Sequence, residues 1–229
     1  MTTRTKTARR LAPPTQEASV IRGRVLHVCR RLFNEKGCPN VTTAQIAGAL
    51  GMNEGHLHYY FNTKGQIVLA LFDEFEGRLA EAAARGLDEP GRPDRYADYL
   101  QNWFTVMWRY RFFYRDYQGT HRVTPSLRKR LAEIHGRGQQ RIRRVLDDMV
   151  ALGLMTATRD QRETLLVNAW VVFTYWIDYL AILRGTDRLT KADLEQGMRQ
   201  VDSLFRPYLT KRGRSERSKA PSLASILKP

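Results

Sequence analysis

Residues 42–64 read TTAQIAGALGMNEGHLHYYFNTK, and their polar and apolar spacing describes two short helices around a tight turn. Thr42 or Thr43 can cap the first helix, because a hydroxyl oxygen accepts a bond from an N–H that the helix leaves unpaired. Ala44, Ile46, Ala47 and Leu50 give that helix an apolar stripe at helical spacing. Gly51 follows, where a left-handed backbone is cheap only for glycine. Asn53 then caps a second helix, from about Glu54 to Tyr60. Leu57 and Phe61, four apart, face inward and leave Glu54, Gly55, His56, His58 and Tyr60 outward. Thr63 caps a third helix with Lys64 at its start. This is the pattern of a helix-turn-helix, whose second helix enters the major groove of DNA while the first crosses the backbone.

The competing reading is a helical hairpin that only packs in a core. The composition of the outer face weighs against it. A solvated face is usually Lys, Glu and Arg, whereas this one carries rings and hydrogen-bonding groups suited to base edges, thymine methyls and phosphates.

The segment resembles the DNA-binding domain of the tetracycline-repressor (TetR) family. The resemblance rests on Leu32, Phe33, Glu35 and Gly37, then Thr42, Thr43, Ile46, Ala47 and Gly51, then Gly55, Leu57, Tyr59, Phe61, Lys64 and Ile67. It covers roughly residues 20–75. His58 stands where the family usually has Tyr, and Tyr60 where it usually has His, so the sequence preference of relatives does not carry over. The resemblance implies contacts to DNA from Thr42, Thr43, Ala44, Asn53, Glu54, Gly55, His56, His58, Tyr59 and Tyr60, with Lys64 on the phosphate backbone. It also implies a helical effector domain after the DNA-binding one. The run from Trp108 through Tyr110, Phe112, Phe113, Tyr114, Arg115 and Asp116 to Tyr117 resembles one branch of those domains, less specifically.

The 229 residues hold one large domain or two small ones. Two Cys and 42% hydrophobic residues fit a reducing, cytoplasmic compartment. The N-terminus has no apolar stretch of signal-peptide length, and no run approaches the roughly 20 apolar residues a membrane helix needs. The net charge of +15 is uneven: ten Lys/Arg against three Asp/Glu in residues 1–66, 21 against 19 in 67–205, and seven against one in 206–229. Basic charge concentrated at the motif and the ends points to nucleic acid. Attachment of basic tails to a membrane would need an apolar partner or lipid signal that the sequence lacks.

Outward from the motif, residues 1–16 read as a disordered basic arm whose Arg4, Lys6, Arg9 and Arg10 either follow DNA or stay idle. A helix is expected from about Glu17 to Lys36, with Val20, Val25, Val28, Cys29, Leu32 and Phe33 inward. Residues 17–66 form the expected three-helix DNA-binding domain, and 67–209 a larger helical domain for effector binding and dimerisation. A long helix runs from Thr63 to about Arg85 and links the two. Further helices are expected over 93–118, from 125 to about Leu152 with a break near Gly136–Gly138, over about Asp160–Leu183, and over Thr190–Leu209. Residues 210–229 read as a disordered basic tail. The fold class is all-α.

Chemistry is sparse. His56 and His58 are two apart on a helix, so their side chains diverge. No metal spacing and no nucleophile elbow occurs, so neither an enzyme nor a cofactor or metal is expected. Cys29 and Cys38 lie roughly 13 Å apart if the helix rise continues, beyond the about 7 Å a disulfide allows. Trp103, Phe104, Met107, Trp108, Tyr110, Phe113 and Tyr114, with His121 and Arg122 near a loop mouth, either line an effector pocket or fill a core. Trp170, Phe173, Trp176, Ile177 and Leu180, with Met198, Val201 and Phe205, either pair two subunits in a four-helix bundle or pack within one. The expected function is a homodimeric transcriptional regulator, a repressor released from a palindromic DNA operator by a small molecule. The alternative is a ligand-independent DNA-binding or architectural protein whose helical body only dimerises.

Overall fold

The capping chemistry of the quoted stretch sets its helix boundaries. The structure, a computed structural model, describes residues 16–87, 102–103, 105–115, 122–185 and 190–219. Three helices open the chain, α1 (Gln16–Lys36), α2 (Thr43–Leu50) and α3 (Glu54–Tyr60), followed by the long α4 (Lys64–Leu87). Then come the one-turn α5 (Phe112–Arg115), α6 (Leu127–Ala151), α7 (Arg159–Arg184) and α8 (Lys191–Phe205). A 3-10 turn (Arg206–Tyr208) leads to α9 (Lys211–Lys219). The described residues contain no strand, only an isolated bridge between Met155 and Leu209. The all-α expectation holds.

One core runs through the chain. Val25, Leu26, Cys29, Leu32 and Phe33 of α1, Ile46 and Ala47 of α2, and Leu57 and Phe61 at α3 are all buried. They are continuous with Ile67, Val68, Leu71, Phe72 and Phe75 of α4, then Met107, Tyr110, Phe112 and Phe113, then Leu127, Leu131 and Ile134 of α6. Each fully buried Val, Leu, Ile, Phe or Met among them contributes about 1.5–3 kcal/mol by leaving water. The division expected at residues 66/67 is therefore not a gap in packing. The α4 helix crosses it, and Phe33 meets Phe112 across it with ring centroids 5.4 Å apart.

The helix expected over 93–118 is corrected where it is described. A turn at Tyr110–Arg111 separates a helical stretch over 105–109 from α5. The cause is Asn34 of α1, a buried side chain that donates from Nδ2 to the Arg109 carbonyl (2.9 Å) and accepts from the Phe112 N–H (3.1 Å). One amide thus satisfies both backbone groups that the turn exposes. The break expected near Gly136–Gly138 is absent: α6 is continuous, and open space surrounds both glycines.

The tail expected from 210 is also corrected, because α9 is helical and anchored. Thr210 donates from its N–H to the Leu154 carbonyl (3.0 Å) and from its hydroxyl to the Gly153 carbonyl (2.8 Å). Its hydroxyl also caps the Gly213 N–H (3.1 Å). Gly213 then packs so closely that a Cβ there would collide with the Leu154 carbonyl. A polar composition hid this helix, since its order comes from tertiary bonds rather than an apolar stripe. The arm at residues 1–15 and the tail at 220–229 lie outside the described residues.

Candidate nucleic-acid interface

The outward face of α3 is set by bonds made within a few residues. Thr42 Oγ1 accepts from the Gln45 N–H (3.2 Å) and Gln45 Oε1 accepts from the Thr42 N–H (3.1 Å), a reciprocal capping box. Gly51 ends α2 at φ +69°, and its N–H reaches the Ala47 and Gly48 carbonyls. Asn53 Oδ1 accepts from the His56 N–H (2.8 Å) and starts α3. At the far end Arg22 of α1 donates to the Tyr60 carbonyl (2.6 Å), and its guanidinium lies 4.1 Å over the Phe61 ring. Arg22 was not among the expected site residues. Its signal, a lone Arg on the face of α1 that meets α3, is legible only once the fold is known.

On this scaffold Leu57 is fully buried, while Ala44, Asn53, Glu54, Gly55, His56 and His58 are exposed and Tyr59 is 80% exposed. Tyr60 is half-buried, with its ring 5.4 Å from that of His56 and 5.2 Å from that of Tyr59. His58 Nδ1 lies 3.1 Å from the Asn62 carbonyl, a contact in which Nδ1 donates. Thr42 and Asn53 spend their side-chain oxygens on caps, so Glu54, His56, His58 and Tyr59 supply the outward polar groups and rings of this face. The arrangement offers DNA a rigid ridge of acceptors, donors and rings.

Lys64 has a different set of partners from those expected. Its ammonium donates to the carbonyls of Cys38 (3.1 Å), Pro39 (3.3 Å) and Val41 (3.0 Å). An ammonium has three donors, and here all three clamp the loop between α1 and α2. This corrects the reading of a head group free for phosphate: Lys64 fixes the entry to α2 from the first turn of α4. The same loop holds Cys38, buried like Cys29. Burial, with a smaller contribution from Cys38, pushes the Cys29 thiol up to about 12, so it stays protonated and unreactive at neutral pH.

In the helical body the expected pocket residues divide. Tyr110 and Phe113 are 1% and 0% exposed and belong to the core that joins α1 and α4. The Tyr110 hydroxyl donates to Glu74 (3.1 Å) and lies 3.4 Å from an Arg30 nitrogen. Phe113 packs edge-on against Phe72. Met107 is buried with them. Trp103 and Tyr114 lie on the side toward α6 and α7, where Trp103 meets Trp170 and Phe173, and Tyr114 stacks on His135, while the half-buried Trp108 lies under the Arg111 guanidinium at 4.7 Å. Arg122 is exposed; His121 and the side chain of Phe104 lie outside the described residues. His135 sits among these rings, with Thr174 one turn from Trp170 on α7, and neither was expected, because nothing in the local sequence marks them.

Of the expected dimer residues, two are buried within the chain and five are half-buried against it. Leu180 is 2% and Val201 8% exposed. Trp176 donates from Nε1 to the Asp193 carbonyl (2.8 Å) and lies against Gly197 of α8. Trp170, Phe173, Met198 and Phe205 pack on the main core, and the Ile177 side chain lies outside the description. The outer face of α7 instead exposes Val167 (52%), Val171 (47%), Tyr175 (61%), Tyr179 (54%) and Ile182 (84%). The four-residue spacing from 167 to 179 is visible in the sequence and could have identified it.

Among the described residues no group of His, Cys, Asp and Glu is placed to hold a metal ion. Nor is any single described helix long and apolar enough to cross a membrane. A family model described as bacterial regulatory proteins, tetR family, matches residues 25–71, and one described as a bacterial transcriptional repressor matches residues 74–216. The crystal structure of a TetR-family transcriptional regulator from Marinobacter aquaeolei VT8 is 30% identical and superposes with a TM-score of 0.74, covering 87% of this chain and 98% of that one. The HTH-type transcriptional regulator TtgR of Pseudomonas putida is 32% identical over 71 residues, 30% of this chain and 34% of that protein. The HTH-type transcriptional repressor KstR2 of Rhodococcus jostii is 32% identical over 83 residues, 33% of this chain and 41% of that protein. The matched region thus spans well under half the length of these curated relatives.

Proposed function

This chain belongs to the tetR family of bacterial regulatory proteins, and we propose that it is a dimeric repressor that leaves a palindromic operator when a small molecule enters its helical body. It is a DNA-binding transcriptional regulator and, like its relatives, not an enzyme. The observation that carries the proposal is the exposed face of α3, held at both ends by the Asn53 cap and Arg22. We place the protein in the cytoplasm, with its DNA and away from membranes.

A symmetric operator needs two reading heads. The exposed ridge of α7 supplies the surface for a second copy, since large contiguous apolar patches mark interaction sites. Rows four residues apart pack into matching grooves, and a two-fold axis makes the patch its own partner. Binding-site selection from random DNA should return an inverted repeat. Replacing Tyr175 and Tyr179 together by Asp should yield a helical monomer by sedimentation. Operator affinity should then fall about 10²-fold or more, because linking two heads is worth ~10²–10⁴. A wild-type monomer that binds a single half-site would overturn the dimer.

Effector binding reaches the heads through elements that both regions share. Arg130 of α6 bonds Asp73 and Glu76 of α4 (both 2.7 Å), and Asn34 ties α1 to the turn at 110–111. A ligand that favours one arrangement of α4 and α6 shifts DNA affinity by its differential affinity for the two states. The solid packing of Met107, Phe112 and Phe113 favours a second reading, a body that only dimerises. In that case no ligand that protects the protein from heat changes operator affinity.

A further inference from the structure

The hydroxyls of Tyr114 and Thr174 and Nε2 of His135 are sealed from solvent and have no hydrogen-bond partner among the described residues. They come from three helices, α5, α7 and α6; Tyr114 and His135 meet in one group of rings that includes Trp170, and Thr174 stands four residues from Trp170 on α7. Tyr114 lies nearly flat on His135, centroids 5.9 Å apart and planes 13° apart. His135 meets Trp170 at 4.4 Å in a T-shaped contact. Trp170 and Phe173 both touch Trp103, at 5.5 and 5.0 Å. Thr174 follows Phe173 and stands one turn beyond Trp170 on α7.

Buried polar atoms are nearly always bonded, because an unmade bond leaves the full cost of desolvation. Phe in place of Tyr114, or Val in place of Thr174, would fill the same space without that cost. Two such atoms in one ring cluster, with a third one helical turn from its Trp170, mark a place where a partner from outside completes the bonds. The chemistry of that partner follows from the lining. Burial holds the His135 imidazole below its ordinary range and the Tyr114 phenol above its own, so both rings are neutral at pH 7. A cage of Trp and Phe alone would suit a quaternary ammonium. Such a cation would leave all three polar atoms unbonded, whereas a flat ring with oxygen substituents stacks in the cage and bonds them.

We propose that this cluster is the effector seat and that it takes a neutral, planar aromatic compound bearing hydroxyl or carbonyl groups. This rests on the reading of the chain as an effector-responsive regulator. The rings touch one another in this conformation, so the ligand enters as Trp103 parts from Trp170 and Phe173 and restores their contacts through its own faces.

The test uses the full-length protein without DNA, 4-hydroxyacetophenone as probe, and tryptophan fluorescence with thermal melting as readouts. Two comparison compounds are 4-ethyltoluene, of similar shape without polar atoms, and benzyltrimethylammonium. The expected result is saturable binding of the probe at least tenfold tighter than either. Tyr114→Phe and Thr174→Val should each weaken the probe at least fivefold, while the unliganded protein melts at the same temperature or higher. Binding of 4-ethyltoluene or the ammonium as tight as the probe overturns the proposal. So does a fall in both unliganded melting temperatures, which would mean the atoms are already bonded in the free protein. Absence of probe binding by protein that still binds operator sinks the seat and leaves the regulator intact. Probe binding as expected with operator affinity unchanged sinks effector control and leaves the seat.

Discussion

Around α3 the rings are outside and the capping groups are bonded; around Trp170 the rings pack together, and among the described residues the buried Tyr114 hydroxyl and His135 Nε2 have no partner. The contrast follows from where each region gets its order. The α2–α3 segment is shaped by bonds three residues long, Thr42 with Gln45, Asn53 with His56 and Thr63 with Gln66. The ring cluster draws on residues tens of positions apart. A surface that must meet many DNA sequences and one operator gains from rigidity fixed before binding. An interior that must respond to a ligand gains from bonds left for the ligand to make. The two regions share one core, so neither moves without the other, and their joint is where the comparison can be broken hardest.

Asn34 is that joint. Asn34→Leu keeps the volume and leaves the part-buried Arg109 carbonyl and the buried Phe112 N–H without their partner. Each unmade bond costs about 1–3 kcal/mol, so the protein should lose about 3 kcal/mol or more. For a chain of this size that lowers the melting temperature by about 6–12 °C. Operator binding and ligand response should fail together. Wild-type melting with either function intact would show that the two regions are not coupled through this turn.

Lys64 sharpens the contrast within the DNA-binding unit. Lys64→Met removes a charge-assisted clamp whose bonds are worth about 1.5–3 kcal/mol. Operator and random DNA should weaken alike, with a lower melting temperature. The salt dependence should stay unchanged, because the ammonium is spent on the carbonyls of Cys38, Pro39 and Val41. A phosphate contact would instead lower the salt slope by about one unit and leave stability alone.

What the sequence disclosed follows the same divide. Thr42, Gly51 and Asn53 act through their immediate neighbours, so the caps, the turn and the inward Leu57 were legible from 23 residues of chain. The all-α class was legible for the same reason. The break at Tyr110–Arg111 was not, because its cause is an amide on α1. Nor was α9, whose order comes from Thr210 and the carbonyls of Gly153 and Leu154. Trp170 and Trp176 are large and apolar and therefore read equally well as subunit contact or core. In the fold Trp176 reaches the Asp193 carbonyl and Trp170 meets Trp103, while the neighbouring face of α7 exposes Val171, Tyr175 and Tyr179. Lys64 was placed on DNA by resemblance, and its true neighbours come from a loop more than twenty residues earlier.

The smallest effect on the fold should come from the residues with the largest effect on choice of DNA. Glu54 and His56 are exposed, and among the described bonds their side chains hold nothing else in place; only the His56 backbone N–H is used, by Asn53. Glu54→Ala and His56→Ala should therefore melt within a degree or two of wild type, as exposed substitutions usually stay within about 0.5 kcal/mol. A carboxylate accepts from cytosine N4–H, an imidazole from or to a base edge, and each such contact discriminates by about 1–3 kcal/mol. Either variant should then relax one or two positions of each half-site while leaving affinity for random DNA unchanged. Binding-site selection on both variants measures this directly. An unchanged motif would shift base reading to His58, Tyr59 and the arm ahead of α1. A lowered melting temperature would show instead that the outer face of α3 helps hold the fold, and the separation between a reading surface and a responding interior would fail at its simplest point.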